Sequence, residues 1–309
     1  MSSTLIDPPQ TSANSLVPHR WGTDALLVVM ALIWGVNFIV VKIGAQLLQP
    51  LAFNSGRVTI AAVALVLIVL AIREPWPSRR DTVRLLALGV LGNGLYQWFF
   101  IEGIARTRAG DAALVLAAAP ALMAIIGRML GVERVTRRKV LGIGASLFGM
   151  ALVVFGSGKT DPATTRDVAT LAGNMLVLAA CFCWALYTVL LKPYTERVPG
   201  IPLSALTMVG GAIPLVAVSL PQVAATPWTA LPISAWGALL YSGLLALAVA
   251  YLFWYRGVRV LGPTRSAMYS NLQPVVALIV AWIALGEKPT VIQVLGAVAI
   301  MTGLLLTRT

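Results

Sequence analysis

Histidine and cysteine are almost missing from this chain. Among 309 residues there is one histidine, His19, and there are two cysteines, Cys181 and Cys183. The histidine lies in a polar stretch before the first apolar run, so no imidazole serves acid–base work farther along. The cysteines sit two positions apart inside an apolar run. On a helix they point to different faces, which excludes a disulfide between them and a paired metal ligand. Charge is scarce as well. Asp, Glu, Lys and Arg make up 11% of the residues, against about 25% in a soluble domain, while 59% are hydrophobic. So few polar groups cannot cover a surface facing water on all sides, and the chain is read as a membrane protein. The net charge of +12 would suggest nucleic acid in a soluble protein. Here it fits Lys- and Arg-rich cytoplasmic loops, and no nucleic-acid partner is expected.

Charge is scarcest in the middle of the apolar runs. Asp24, Lys42, Arg57, Glu102, Asp111, Arg128, Lys192, Arg256 and Arg265 all fall within about two helical turns of a run's end. This argues against a pump built on a buried carboxylate in its first helix, and against an intramembrane protease with paired aspartates. With no cluster of His, Cys or carboxylates inside the runs, an enzyme is not expected. Neither is a metal or a cofactor.

What the chain does have is ten apolar runs, near 24–41, 53–72, 85–104, 109–127, 140–156, 168–191, 201–220, 233–255, 266–285 and 289–306. Most have the roughly 20 residues that a helix needs to cross about 30 Å of hydrocarbon, and only a helix satisfies its backbone within one such segment. Residues 1–22, with Pro, Ser and Thr but no apolar run, are expected to be a disordered cytoplasmic tail with no secretory signal. Lys and Arg concentrate on alternate loops. Arg73, Arg79, Arg80 and Arg84 follow the second run, and Arg134, Arg137, Arg138 and Lys139 follow the fourth. Both termini are therefore expected on the cytoplasmic side.

The chain also repeats itself. Gly103, Pro120, Glu133 and Thr136 are matched at one constant offset by Gly257, Pro274, Glu287 and Thr290, and Val140-Leu141-Gly142 by Val294-Leu295-Gly296. At a slightly shorter offset Trp34 meets Trp184 and Lys42 meets Lys192. A repeat this long means two fused halves rather than a solenoid. The reading is a first repeat over 23–157 and a second over 168–307. Five helices per half is an odd number, so the second half enters the bilayer from the opposite side. The expected fold is an all-α integral membrane protein: ten transmembrane helices as two inverted five-helix repeats, with a substrate site near the midplane between them.

Trp34-Gly35, Asn37-Phe38 and Lys42 in the first run, the duplicated Pro120 and Pro274, and Leu285-Gly286-Glu287 closing the ninth run together resemble the drug/metabolite transporter superfamily, in its EamA branch. The resemblance spans nearly the whole chain and is strongest to the YddG-type aromatic amino-acid exporters. It implies ten helices, a place in the bacterial inner membrane, and export of small metabolites, often amino acids. One departure is visible: the first half reads Gly131-Val132-Glu133 where the second reads Gly286-Glu287, so the two halves are expected to close differently.

The candidate site residues are aromatic, polar and proline. Trp34 and Trp184 are repeat mates, as are Phe100 and Trp254, with Tyr96, Tyr187 and Tyr251 a turn away from one or other of them. Aromatic walls suit an apolar side chain and attract an ammonium through the ring face. The alternative for such rings is an interfacial belt, which suits Trp21, Trp76, Trp98 and Trp228 better. Ser266, Tyr269, Ser270 and Gln273 recur at helical spacing on one face of the ninth run, beside Asn271, whereas their mates in the fourth run are apolar. The alternative there is ordinary interhelical hydrogen bonding. Asn37, Asn93 and Gln97 are further polar candidates inside runs. Pro120 and Pro274 fall mid-run, each disturbing the carbonyl four residues back, at Leu116 and Ser270; they are candidate hinges or else static kinks. The function expected is export of neutral amino acids, aromatic ones included, by alternating access through a central cavity. The protein is expected to work as a monomer in the bilayer. The alternative is export of another hydrophobic metabolite or drug.

Overall fold

The computed structural model describes residues 20–131, 140–142, 144–145, 148–149, 151–152, 166–261, 266, 269–270 and 272–308. About half of the fifth run, and Asn271, lie outside the described residues. Those described are overwhelmingly helical. In chain order the helices are α1 (Arg20–Leu47), α2 (Pro50–Ile72), α3 (Arg79–Gly89), α4 (Tyr96–Arg106), α5 (Ala109–Leu116) and α6 (Ala119–Met129). They continue with α7 (Arg166–Arg197), α8 (Gly200–Ala225), α9 (Ile233–Leu240), α10 (Ala250–Leu261), α11 (Leu272–Leu285) and α12 (Val291–Arg308). A π-helical segment, Val90–Leu95, joins α3 to α4, and a second, Tyr241–Val249, joins α9 to α10. These segments occupy corresponding places in the two halves of the sequence.

Six helices are long and apolar enough to cross a membrane: Gly22–Leu47, Pro50–Ile72, Ala109–Met129, Thr170–Arg197, Gly200–Ala225 and Ile233–Leu261. Leu272–Leu285 and Val291–Gly303 are shorter apolar helices. The rod over 79–106 is interrupted by Asn93 and Gln97 and charged at both ends. The first helix begins at Arg20, three residues before the expected start of the first repeat. Apolar side chains such as Leu67, Leu70, Ile213 and Val218 stand exposed on the outside, an arrangement that suits lipid and not water.

Local chemistry sets the helix ends. Ser78 Oγ accepts from the Asp81 amide and starts α3, while Pro50 opens α2 at a position where no amide hydrogen is needed. Gly131 and Gly286 both take a left-handed conformation, φ 71° and 68°. A left-handed glycine thus closes both α6 and α11, and the two closures differ: Gly131 N–H donates to Arg128 O at 3.1 Å. At Gly286 the cap is complete: Gly286 N–H donates to Trp282 O at 3.1 Å and Glu287 N–H to Ala281 O at 3.3 Å. Glu287 then reaches back to accept from the Ala109 amide at 3.2 Å, capping the start of α5. Lys42 caps the end of α4 by donating to the carbonyls of Ile104, Ala105 and Thr107, a structural role.

The halves pack crosswise. α1 lies against α10 and α11, and its repeat mate α7 lies against α4, α5 and α6. The mates α2 and α8 pack on each other, and α3 with the first π segment also lies on α8. Small residues permit that approach. A Cβ on Gly89 would stand 2.1 Å from Thr207 O, and one on Gly210 would stand 2.1 Å from Leu86 O. The crossing of α1 and α7 with their partners encloses the centre of the molecule.

Candidate functional site

Regular helix is interrupted in the middle of the fourth and ninth apolar runs. α5 stops at Leu116 and α6 restarts at Ala119, with Pro120 in its first turn. In the ninth apolar run Ser270 is a turn residue and α11 begins at Leu272, so Pro274 again falls in a first turn. The sequence had suggested mid-helix kinks with carbonyls left over at Leu116 and Ser270. In the fold, Ser270 O accepts from Gln273 N–H at 3.0 Å, and Leu116 O has the Cys181 thiol 4.0 Å away. Both breaks open onto one cavity, where Pro120, Ser270, Gln273 and Pro274 form part of the wall.

Facing them is an aromatic cluster. The Trp34 ring lies 6.1 Å from Trp184, 5.7 Å from Tyr251 and 5.8 Å from Trp254, centre to centre. Tyr96 is 5.3 Å from Trp184 and stacks on Phe100 at 5.8 Å. Trp34 is fixed by its indole N–H, which donates to Ala246 O at 2.8 Å. Ala246 lies in the second π segment, where a widened turn leaves carbonyls free for partners outside the helix. Tyr187 stands behind Trp184, outside the cavity lining. Its ring is 5.6 Å from Trp184 and its hydroxyl is 2.6 Å from that of Tyr255.

Another part of the cavity wall is polar and holds a residue that sequence reasoning did not assign to the site. Arg57 had been counted with the charges near span ends. It does lie two turns into α2, but it is 1% exposed and part of the cavity wall. Its Nε–H donates to Asn54 Oδ1 at 2.8 Å, Nη1 to Ser242 Oγ at 3.1 Å and Nη2 to Gln97 Oε1 at 2.6 Å. Ser242 in turn donates to Asn37 Oδ1 at 2.6 Å, and Asn54 Nδ2 to Gln97 O at 2.9 Å. The guanidinium carbon lies 5.6 Å from the Phe100 ring and 5.9 Å from that of Phe53. A signal was available in the sequence: Asn54, Ser55 and Arg57 cluster inside an otherwise apolar run, with Asn54 and Arg57 one turn apart.

Trp34, Asn37, Tyr96, Gln97, Phe100, Trp184, Tyr251 and Trp254 thus meet around one space, with Phe38, Arg57 and Met123 added by the fold. The open volume is only about 70 Å³, room for a few waters and well short of the several hundred Å³ of a small-molecule pocket. The rings must part to admit a ligand. Of the remaining polar candidates, Ser266 is fully buried and Tyr269 donates to Asp24 Oδ1 at 2.6 Å, tying the ninth span to the start of α1. Asn93 is fully buried in the first π segment and does not line the cavity. Asp111, expected near the outer end of its span, is also fully buried and accepts from Gln293. Among the described residues no three His, Cys, Asp or Glu side chains gather closely enough to hold a metal ion.

The EamA-like transporter family matches this chain twice, over residues 21–155 and 171–309. An uncharacterized transporter of Bacillus subtilis, YyaM, is 30% identical over 91% of each chain. A probable terminal-alkyne amino-acid exporter of Streptantibioticus cattleyicolor is 27% identical over 91% of each chain. A probable amino-acid metabolite efflux pump of Salmonella typhimurium is 28% identical over 92% of this chain and 93% of its own. One crystal structure shares the fold with a TM-score of 0.68 at 18% identity, over 93% of this chain and 98% of the other. With two matched repeats and a cavity enclosed between them, this membrane transporter, which is not an enzyme, belongs to the EamA-like transporter family.

Proposed function

We propose that this protein exports neutral amino acids, aromatic ones among them, by alternating access of the central cavity. The observation that carries this reading is the pairing, in one cavity, of an aromatic cluster around Trp34 and Trp184 with a polar network around Arg57, Gln97 and Asn37. The rings suit an apolar side chain and the polar groups suit the charged backbone end of an amino acid. Relatives named for amino-acid and amino-acid-metabolite export support it. The proposed frame is ten spans in two five-helix repeats, 23–157 and 168–307, of opposite orientation. Both termini face the cytoplasm of a bacterial inner membrane and the monomer is the working unit. Pro120 and Pro274 act as hinges where the fourth and ninth spans are broken, as discontinuous helices do in other transporters.

Movement is proposed to follow the substrate gradient. A zwitterion carries no net charge, and the ionisable side chains of the cavity wall, Arg57, Tyr96 and Tyr251, are of types that ordinarily titrate far from neutral pH. The test is counterflow of labelled amino acids in proteoliposomes, with no pH or voltage difference across the membrane. Aromatic and branched amino acids are expected to exchange, and Asp111→Asn to leave that exchange unchanged. Failure of every amino acid, with uptake of apolar cations or neutral drugs instead, would favour the second reading, export of another hydrophobic compound. The mostly apolar cavity wall favours that alternative.

A further inference from the structure

We propose that Arg57 anchors the carboxylate of the transported molecule, so that a free carboxylate is a requirement of the site and not an incidental part of the cargo. The inference rests on the cavity being the transport site. A buried guanidinium is costly unless its charge is matched and its hydrogens are bonded. Here the hydrogens are partly satisfied and the charge is not. Asn54, Ser242 and Gln97 are all neutral acceptors, and among the described residues no carboxylate pairs with Arg57. The ion pairs seen there, Arg106 with Glu102 and Arg197 with Asp81, both involve exposed arginines. Partners that need only a donor do not explain why the donor carries a charge.

The donor count points the same way. A guanidinium has five N–H groups in a planar fork. The three bonds take the Nε hydrogen, one on Nη1 and one on Nη2. One hydrogen on each Nη is left over, and a carboxylate can take two N–H bonds from one guanidinium. Gln97 and Ser242 hold the fork in place, and Phe100, 5.6 Å from the guanidinium carbon, stacks on Tyr96. A carboxylate on Arg57 therefore leaves the rest of the molecule directed along Phe100 and Tyr96 toward Trp184. An apolar side chain fits that end.

The experiment is ligand binding to the purified full-length protein, read by thermal stabilisation. The probes are phenylalanine, leucine and tryptophan, the carboxamide of each, and 3-phenylpropanoate. For wild-type protein, the acids are expected to bind about tenfold or more tighter than their amides. Arg57→Gln, which keeps donors but no charge, is expected to bring that ratio close to one, and Arg57→Lys to restore it in part. The wild-type comparison stands even where a variant does not fold. Amides that bind as well as acids, or a Gln variant that weakens both alike, would overturn the proposal and leave amino-acid export intact. Binding of 3-phenylpropanoate through Arg57, with no binding of amino acids, would uphold the anchor and remove the amino-acid reading. Binding of none of the probes would overturn both.

Discussion

Trp34 lends its ring faces to the cavity wall and its N–H to the Ala246 carbonyl. Those two contributions separate in Trp34→Phe, which keeps an aromatic face and removes the donor. The variant is expected to lose about 1 kcal/mol, the net value of one such bond, seen as a lower melting temperature in detergent, and to transport more slowly. A melt unchanged from wild type would mean that the π segment holds its shape without the indole. At this scale much of the site could be read beforehand. Trp34 and Trp184 stood out as repeat mates in mid-run, and Gln97 and Asn37 as amides where the bilayer gives a polar group no partner. Arg57 was legible as a member of a polar cluster in its run, but its burial in the wall was not. Position along a run gives depth from the nearest end, but burial depends on which neighbours close over the side chain. Here these are Gln97 from α4 and Ser242 from the second π segment, both remote in sequence.

Among the elements, α3 and α8 depend on an approach that only glycine permits. A methyl group on Gly210 would meet the Leu86 carbonyl, which belongs to a helix backbone and cannot turn aside. Gly210→Ala is therefore expected to cost at least the 1–3 kcal/mol of an overpacked core. The measurement is the yield of monodisperse protein and its melting temperature. Gly237→Ala, where nothing lies within 4 Å, serves as the control. The broken ninth span makes a different prediction. Pro274→Ala restores an amide hydrogen in the first turn of α11, allowing the helix to extend back through Ser270. Folded protein is expected to be retained and exchange to fall; a variant with full exchange would remove Pro274 as a hinge. Two prolines at matched positions announced a disturbance in both runs, and each lies just after turn residues. The π segments had no such warning. They carry no residue type of their own, and a widened turn follows from packing against partners such as Trp34 and Tyr187 that the local sequence does not contain.

At the scale of the whole molecule, the crosswise packing places helices from both halves on every side of the cavity. The duplicated positions in the sequence foretold two halves; that each half completes the other around a shared space came from the fold. Orientation is tested from outside. Reporter fusions within 79–84, at the start of α3, and after Thr309 are expected to read as cytoplasmic, and fusions within 157–167 as periplasmic. A periplasmic C-terminus would remove the ten-span, inverted-repeat proposal. The ring cluster at the centre has a consequence in optics. Trp34, Trp184 and Trp254 lie within 6.1 Å of one another, close enough for their excited states to couple, whereas Trp76, Trp98, Trp236 and Trp282 are exposed on the exterior. The near-ultraviolet circular dichroism of the protein should therefore be dominated by three indoles that must separate whenever cargo enters. Unlabelled protein reports its own occupancy, and Trp184→Phe should erase most of that signal while leaving the emission of the outer tryptophans in place.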